Sequence, residues 1–560
     1  MFLPTTQSEA VQRGWDTLDV ILVSGDSYID SPMVGVAVIG RVLEAAGYRV
    51  GIIAQPDIQS GKDIQRLGEP RLFWGVSGGS VDSMIANYTP TNRKRRRDDY
   101  TPGGENNRRP DRAVIAYANL IRRYFKNTSP IVLGGIEASL RRVAHYDYWT
   151  DKVRRSILLD AKAELLVYGM AENTIRQLAT ALANGADYRD IRGLCYIASE
   201  AKAQYLELPS HEDCAADKNA FTEMFMTFYH NQDAITARGL QQAHGNRYLV
   251  HTPPNAPLTQ KELDEVYHLP FKRAQHPFYE AKGTVKALET IRFSIPTHRG
   301  CYGECNFCAI AMHEGRTVTW RSQESILKEA RTLTKLPGFK GYILDLSGPS
   351  ANMYAVECDK KLETGACEHR NCLTPTICPA LKIDHQSQID LMRAIREIPG
   401  VKKVFLASGI RYDMLMADEQ HTDAYLEELV NHHVSGQLKV APEHSEAAVL
   451  RRMNKSDPGV LMAFKRKFDQ ANQRAGKRQF LTYYFIAAHP GCSEAEMRQL
   501  SRFVSKTLRI HPQQVQIFTP TPSTISSLMY YTEKDPFNGE KIFVEKNLAR
   551  KDRQKQIITG

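Results

Sequence analysis

Cys301, Cys305 and Cys308 lie in the run Thr-His-Arg-Gly-Cys-Tyr-Gly-Glu-Cys-Asn-Phe-Cys-Ala-Ile, from Thr297 to Ile310. Three thiolates at this spacing can hold three irons of a cubane cluster, because iron–sulfur clusters are ligated by cysteine thiolates. A [4Fe–4S] cluster takes four ligands and no fourth cysteine stands in the motif, so the remaining iron is open to a small molecule. The competing readings are a structural zinc knuckle and three cysteines sharing a loop by chance. Zinc prefers four closed ligands, often in short Cys-x2–4-Cys pairs, so the cluster is the expectation.

Cys358, Cys367, Cys372 and Cys378 form a second group, in a short span with His369, Pro375 and Pro379. None belongs to a Cys-x2-Cys pair. The group suits a structural zinc or an auxiliary iron–sulfur cluster, and the sequence does not choose between them. The alternative is four unlinked thiols.

The elements that must position these residues read as α/β throughout. In the first part of the chain, short apolar runs suited to buried parallel strands occur at Leu18–Val23, Tyr48–Ile53, Leu72–Ser77, Ile131–Gly135 and Leu165–Gly169. Between the first two, Val36, Val38, Ile39, Val42, Leu43 and Ala46 recur at close to helical spacing, and Gly47 is a C-terminal cap. Strands alternating with helices predict a doubly wound parallel sheet. Residues 200–285 are less regular and read as a bridge, with a proline-rich stretch at His251–Pro257 and a helix at Gln260–Tyr267.

After Lys286 the alternation resumes. Ile291–Ile295 is a strand that delivers the first cysteine loop, and Ser322 caps a helix over Ser325–Leu333. Further strands, with the turns that end them, are expected at Gly341–Leu346, Val401–Arg411, Gly436–Ser445, Gln479–Ile486 and Val515–Pro522. Six strands with helices between them predict a partial (β/α)6 barrel. Chemistry in β/α barrels sits at the C-terminal ends of the strands, where the cysteine loop follows its own strand. The second cysteine group follows the second barrel strand, so it springs from the same face and roofs the substrate pocket. The expected organisation is an α/β domain over 1–199, the bridge over 200–285, a barrel over 286–533 carrying a Cys-rich insertion at 355–380, and a tail over 534–560.

These strand ends and the cysteine loop resemble radical S-adenosylmethionine (SAM) enzymes. Ser347-Gly348-Pro349 stands where that superfamily has a Gly-Gly-Glu-like segment. Pro442-Glu443-His444-Ser445 with Val449 to Lys455, His489-Pro490-Gly491-Cys492 and Phe518-Thr519-Pro520-Thr521-Pro522 resemble its later turns. With the N-terminal α/β domain and the insertion Arg93–Pro110, nearly the whole chain resembles the YgiQ family of radical SAM proteins. The resemblance implies a [4Fe–4S] cluster on Cys301, Cys305 and Cys308, SAM chelating the open iron, a 5′-deoxyadenosyl radical, and a reducing partner such as flavodoxin or ferredoxin. It further implies SAM contacts from Phe307 near the adenine, from Ser347, Gly348 and Pro349, and from Glu443 near the ribose or carboxylate. It names no substrate.

An α/β domain in front of such a barrel also resembles the cobalamin-binding module of a subgroup, whose signature loop supplies a histidine to cobalt. Here the first loop, Gly25-Asp26-Ser27-Tyr28-Ile29-Asp30, has none, and the expectation is against cobalamin. Two other readings stand beside a SAM-cleaving enzyme: a cobalamin-dependent radical SAM methyltransferase, and a non-catalytic iron–sulfur redox or nucleic-acid-binding protein.

Composition fits these readings. A chain of 560 residues holds more than one core,. No apolar run approaches a membrane span, and the start lacks the basic and apolar regions of a secretory signal. Ten cysteines without such a signal are expected to be reduced, which favours metal binding and a cytoplasmic address,. The net charge is +10, densest at Arg93-Lys94-Arg95-Arg96-Arg97. This run reads as a solvated loop partly neutralised by Asp98 and Asp99. A nucleic-acid surface is the lesser reading, because no stacking or groove-binding motif accompanies it.

Overall fold

The structure, a computed structural model, describes residues 1–560. It divides into two compact units: Met1–Leu258 with Glu265–Arg292, and Thr259–Asp264 with Phe293–Gly560.

The first unit is built on a nine-stranded sheet. Its strands are β1 (Val20–Ser24), β2 (Val50–Ala54), β3 (Phe73–Ser77), β4 (Ile131–Gly134), β5 (Leu165–Val167), β6 (Leu194–Ala198), β7 (Leu206–Leu208), β8 (Leu240–His244) and β9 (Arg247–His251). The spatial order is β7-β8-β9-β6-β5-β4-β3-β1-β2. β1 runs parallel to both β2 and β3, with Val20 opposite Val50 and Phe73. β4 and β5 continue the parallel set. These five strands have the order 2-1-3-4-5, a doubly wound arrangement. β1 and β2 are buried at every position, as helix-covered parallel strands require.

Beyond β6, residues expected to form a bridge supply β7, β8 and β9 and extend this sheet. β6 pairs antiparallel with β5, and the hairpin β8–β9 adds to it around Gly245-Asn246. In a doubly wound sheet, ligands bind where the strand order reverses, here beyond β1 and β3. That crevice holds Arg109, from the insertion after β3. Its guanidinium donates to the Gly78 carbonyl at 2.7 Å and to Asp26 at 2.7 Å, and it pairs with Asp98 at 3.0 Å. Arg93 to Arg97 are exposed.

The second unit is an open array of parallel strands. They are β10 (Ser294–Pro296), β11 (Tyr342–Ile343), β12 (Asp345–Ser347), β13 (Lys403–Val404), β14 (Gln437–Glu443), β15 (Phe480–Ala487) and β16 (Gln514–Ile517). β10 pairs with β12 and β11 with β13. A bridge from Ile410 to Val440 leads on to β14, which pairs with β15, and β15 with β16. β11 and β12 are one strand interrupted at Leu344, so the series is six-membered, as the alternating pattern predicts. Helices Gln323–Leu333, Gln386–Arg396, Ala447–Met453, Pro458–Arg474 and Glu494–Arg502 fill the connections. Ser322 caps the first of them by accepting from the Ser325 N–H at 3.1 Å.

Residues 534–560 end in helix Leu548–Thr559, which ties into the last strands. Gln554 accepts from the Ala488 N–H at 3.0 Å, and Lys551 donates to the Tyr530 hydroxyl at 2.9 Å. All ten cysteines are free, and no helix is long and apolar enough to cross a membrane.

Candidate metal centre and SAM site

β10 runs into a short ribbon, His298–Arg299 paired with Thr319–Trp320, and the cysteine loop leaves from its end. Gly300 makes the turn. Its φ is +81°, and a Cβ there would lie 2.2 Å from the Thr317 carbonyl oxygen, so only glycine fits. The loop then folds on itself: the Gly303 N–H donates to Cys301 Sγ at 3.3 Å and the Cys308 N–H to the Cys305 carbonyl at 2.9 Å. All three cysteines are half-buried.

Four distant segments fix this loop. Asn454, left-handed at φ 57°, donates to the Glu304 carbonyl at 2.8 Å. Asn306 donates through its backbone to Met453 and through its side chain to Arg452, both at 3.0 Å. Its own carbonyl accepts from the Ser526 N–H at 2.9 Å. Glu304 is gripped by Lys361 at 3.1 Å and lies 3.4 Å from Arg316. Arg411 donates to Cys305 Sγ at 3.3 Å and forks onto Asp413, with Nε to Oδ1 at 2.9 Å.

The donor set fits a cluster. Burial pushes the Cys301 thiol up to about 11 and drives the Cys308 thiol upward as well. Without a bound cation these thiols stay neutral, and they would ligate as thiolates only once a metal displaced their protons. Arg411, fully enclosed, is a cation beside Cys305 and is itself pushed further toward its charged form by Asp413 and Cys305 against the effect of burial.

The other expected site residues fall at neighbouring strand ends. Phe307 meets His489 edge-on at 6.3 Å, and His489 meets Phe518 at 5.1 Å. The turns after β15 and β16 thus converge on the cysteine loop. Burial lowers His489 to about 3, so its ring is neutral, and Nε2 lies 2.7 Å from the Ser526 hydroxyl. Glu443 ends β14 at φ 68°. Burial raises its carboxyl against the pull of Lys455, 3.9 Å away, and of Arg411. Ser347 accepts from the Thr297 N–H at 2.9 Å. Gly348 and Pro349 follow at the end of β12. The space a side chain would take at Gly348 is filled by the buried His298 ring, whose Cε1 lies 2.1 Å from the position of a Cβ.

Of the second cysteine group, the structure brings Cys358, Cys372 and Cys378 into one apolar cluster with Tyr302, Val318, Leu373 and Leu381, against which Cys301 packs. Cys367 lies outside it. Sequence reasoning missed Arg411, Lys361 and His298, and it singled out the stretch Val449 to Lys455 without foreseeing the contact of Asn454 with the cysteine loop. Arg411 carried a signal, as a charge closing an apolar strand. The others act through contacts that no local pattern reports.

Residues 2–294 match the family model "Radical SAM N-terminal", and residues 513–559 match "Domain of unknown function (DUF3362)". The chain is 54% identical to a UPF0313 protein of Fusobacterium nucleatum over 559 residues, covering 100% of this chain and 98% of the relative. It is 47% identical to a UPF0313 protein of Thermotoga maritima over 561 residues, with the same coverage. Among solved structures it resembles the cobalamin-dependent SAM radical enzyme OxsB with aqua-cobalamin bound, at TM-score 0.51 and 12% identity, over 94% of this chain and 57% of that one. The radical SAM methyltransferase TsrM of Kitasatospora setae matches at TM-score 0.49 and 16% identity, over 91% and 77%.

The likeness to OxsB corrects the expectation against cobalamin. The fold shared with OxsB is one that holds aqua-cobalamin there, so a first loop without histidine, Gly25 to Asp30, gives no ground for setting the corrinoid aside. The loop motif reports one axial ligand. A large ligand is held mostly by the surface that buries it.

Proposed function

We propose, on the premise that this chain belongs to the UPF0313 (YgiQ-type) family and carries its Radical SAM N-terminal domain, that it is a radical SAM enzyme acting on an unidentified substrate. The observation that carries this reading is the convergence at one face of the barrel. The loop of Cys301, Cys305 and Cys308 follows β10, and Phe307, His489 and Phe518 close on it from the turns after β15 and β16.

A reduced [4Fe–4S] cluster bound there supplies one electron to the sulfonium of SAM, giving methionine and a 5′-deoxyadenosyl radical. Cys301, Cys305 and Cys308 would hold the cluster, and with no fourth cysteine in the loop it would stay open to the SAM amino and carboxylate groups. Arg411 offsets thiolate charge at Cys305. Phe307 gives the adenine an apolar wall, the turn Ser347-Gly348-Pro349 presents backbone to the amino group, and Glu443 with Lys455 lies toward the ribose or carboxylate end. A flavodoxin or ferredoxin provides the electron, and the address is cytoplasmic.

The test is SAM turnover after anaerobic reconstitution and dithionite reduction, read as 5′-deoxyadenosine by chromatography. Wild type should form it and Cys305→Ala should not. A Cys305→Ala protein cleaving SAM at the parental rate would rule the assignment out. A second reading, cobalamin-dependent radical chemistry, draws on the likeness to OxsB and is separated by whether the purified chain takes up aqua-cobalamin.

A further inference from the structure

The doubly wound sheet of the first unit has a ligand crevice beyond the C-terminal ends of its strands. At the end of β2 the structure leaves a cavity of about 240 Å³ there, lined by Ala54 and Gln55, by Gly103 and Arg108 of the insertion after β3, and by Tyr279 and Lys282. Its frame is tightly built. Gln55 is 5% exposed and sits at φ 44°, a conformation that non-glycine residues hold only where their surroundings fix it, often at ligand sites. Its side-chain amide donates to the Gly25 carbonyl at 2.9 Å and to the Thr101 hydroxyl at 2.7 Å. The Tyr279 hydroxyl accepts from the Ala54 N–H at 2.8 Å. Gly103 and Gly283 meet backbone to backbone: a Cβ at Gly283 would lie 2.8 Å from the Gly103 nitrogen, and the Gly103 N–H donates to the Thr284 carbonyl at 3.0 Å.

The charges on this frame are not matched. Arg66 pairs with Asp63 at 3.0 Å, but Arg108 and Lys282 make no salt bridge or side-chain hydrogen bond. Lys282 Nζ has only the Phe278 and Tyr279 rings, at 5.4 and 6.0 Å. Burial lowers the proton affinity of Lys282, and Arg108, Arg66 and Lys62 add to that against the pull of Asp63. The carboxylate in the lining, Glu105, is exposed and accepts from the Asn107 amide at 3.1 Å. Cations gathered in a cleft without a counter-ion attract an anion. Two of them match a group of charge about −2, which a terminal phosphate carries near neutral pH and a single carboxylate does not. Arginine forks onto phosphate oxygens and lysine meets them as a point charge. The cavity is smaller than the roughly 300–1,000 Å³ that encloses a drug-sized ligand, so it takes one end of a molecule.

We propose that this cavity of the first unit binds the phosphate or diphosphate end of a small phosphorylated molecule, with Arg108 and Lys282 on the phosphoryl oxygens and the rigid end of β2, Ala54 and Gln55, shaping the space between them. The proposal does not depend on SAM cleavage.

The test is isothermal titration of the full chain with inorganic pyrophosphate at fixed ionic strength, with inorganic phosphate and sulfate for comparison. Wild type should bind pyrophosphate, and Arg108→Gln and Lys282→Gln should each weaken it by about tenfold or more, the loss of one charge-assisted hydrogen bond. Both side chains are exposed, so the ligand-free variants should melt like wild type. Glu105→Gln, which removes the carboxylate of the lining, should tighten binding, and weaker binding there would overturn the proposal. So would an unchanged affinity in the Arg108→Gln/Lys282→Gln double variant, or no binding by wild type up to about 10 mM pyrophosphate. Sulfate binding as tightly as pyrophosphate would overturn the assignment to phosphate groups. Arg93 to Arg97 lie in the same insertion, so a short single-stranded oligonucleotide is added as competitor. Displacement of pyrophosphate at a lower concentration than inorganic phosphate needs would assign the site to a nucleic-acid backbone and overturn the small-molecule proposal.

Discussion

Arg411 donates directly to a sulfur of the first cysteine loop, and its removal has a calculable effect on a reconstituted cluster. Its guanidinium touches Cys305 Sγ at 3.3 Å and forks onto Asp413. An electron added to the cluster at roughly 6 Å from the guanidinium gains about 3 kcal/mol at an effective dielectric of ~20. Asp413, a few ångströms farther, opposes it by about 2 kcal/mol on the same scale. One electron converts 1 kcal/mol into about 43 mV, since tenfold is 59 mV. Losing the positive charge disfavours reduction, so Arg411→Gln should lower the midpoint potential by about 130 mV while Asp413 stays ionised, and by about 45 mV where it takes up a proton. Asp413→Asn should raise the potential by about 85 mV, and the double variant should fall about 45 mV below wild type. The two single variants therefore shift in opposite directions. Arg411→Gln also strands a buried carboxylate, at about 3–5 kcal/mol of stability, and the double variant should recover most of that. Redox titration followed by electron paramagnetic resonance, with thermal melts alongside, reads both quantities. Single variants that move the potential in the same direction, or an Arg411→Gln shift under about 20 mV, would refute this electrostatic reasoning.

Gly348→Ala should destabilise by about 1–3 kcal/mol through overpacking, because His298 is pinned 2.8 Å from the Thr297 hydroxyl and 3.0 Å from the Ser350 carbonyl. Adding His298→Ala should restore part of the loss in denaturant melts, and strictly additive costs would show that the ring is not the obstacle. Asp418 gives a pH signature. Burial alone would raise its carboxyl, but hydrogen bonds from the His385 ring and backbone outweigh that and hold it at about 2. With a depressed folded value, its contribution is complete above the ordinary carboxyl range near 4 and is lost as pH falls toward 2. The stability gap between wild type and Asp418→Asn should therefore shrink across that window, and a gap constant from neutral pH to about 2 would contradict the assignment.

How far the sequence could be read depended on the range of the interaction. The parallel strands were legible because burial on both faces leaves continuous apolar runs, such as Val20–Ser24 and Val50–Ala54. The hairpin Leu240–His251 was overlooked among residues taken for a bridge, although Gly245-Asn246 between two strands is a two-residue turn signal. Its alternation is weak because Gln241, Gln242 and His244 are themselves buried. The C-terminal helix passed as a tail for a related reason, since the residues it buries include the polar Lys551 and Gln554.

The same distinction holds inside the site. The cysteine triplet is legible because its ligands are close in sequence, but what makes the loop one conformation is not local. Asn454 satisfies its carbonyls from beyond β14, Arg411 balances its sulfur from beyond β13, and Lys361 anchors Glu304 from the Cys-rich insertion. Each is a polar contact made in a buried setting, where an unmet partner costs about 1–3 kcal/mol. The barrel therefore determines the loop as much as the motif does. It follows that substitutions at Asn454 or Lys361, outside the motif and bearing no metal ligand, should alter cluster retention as surely as changes near the cysteines. The insertion that carries the second cysteine group is thereby part of the frame of the first.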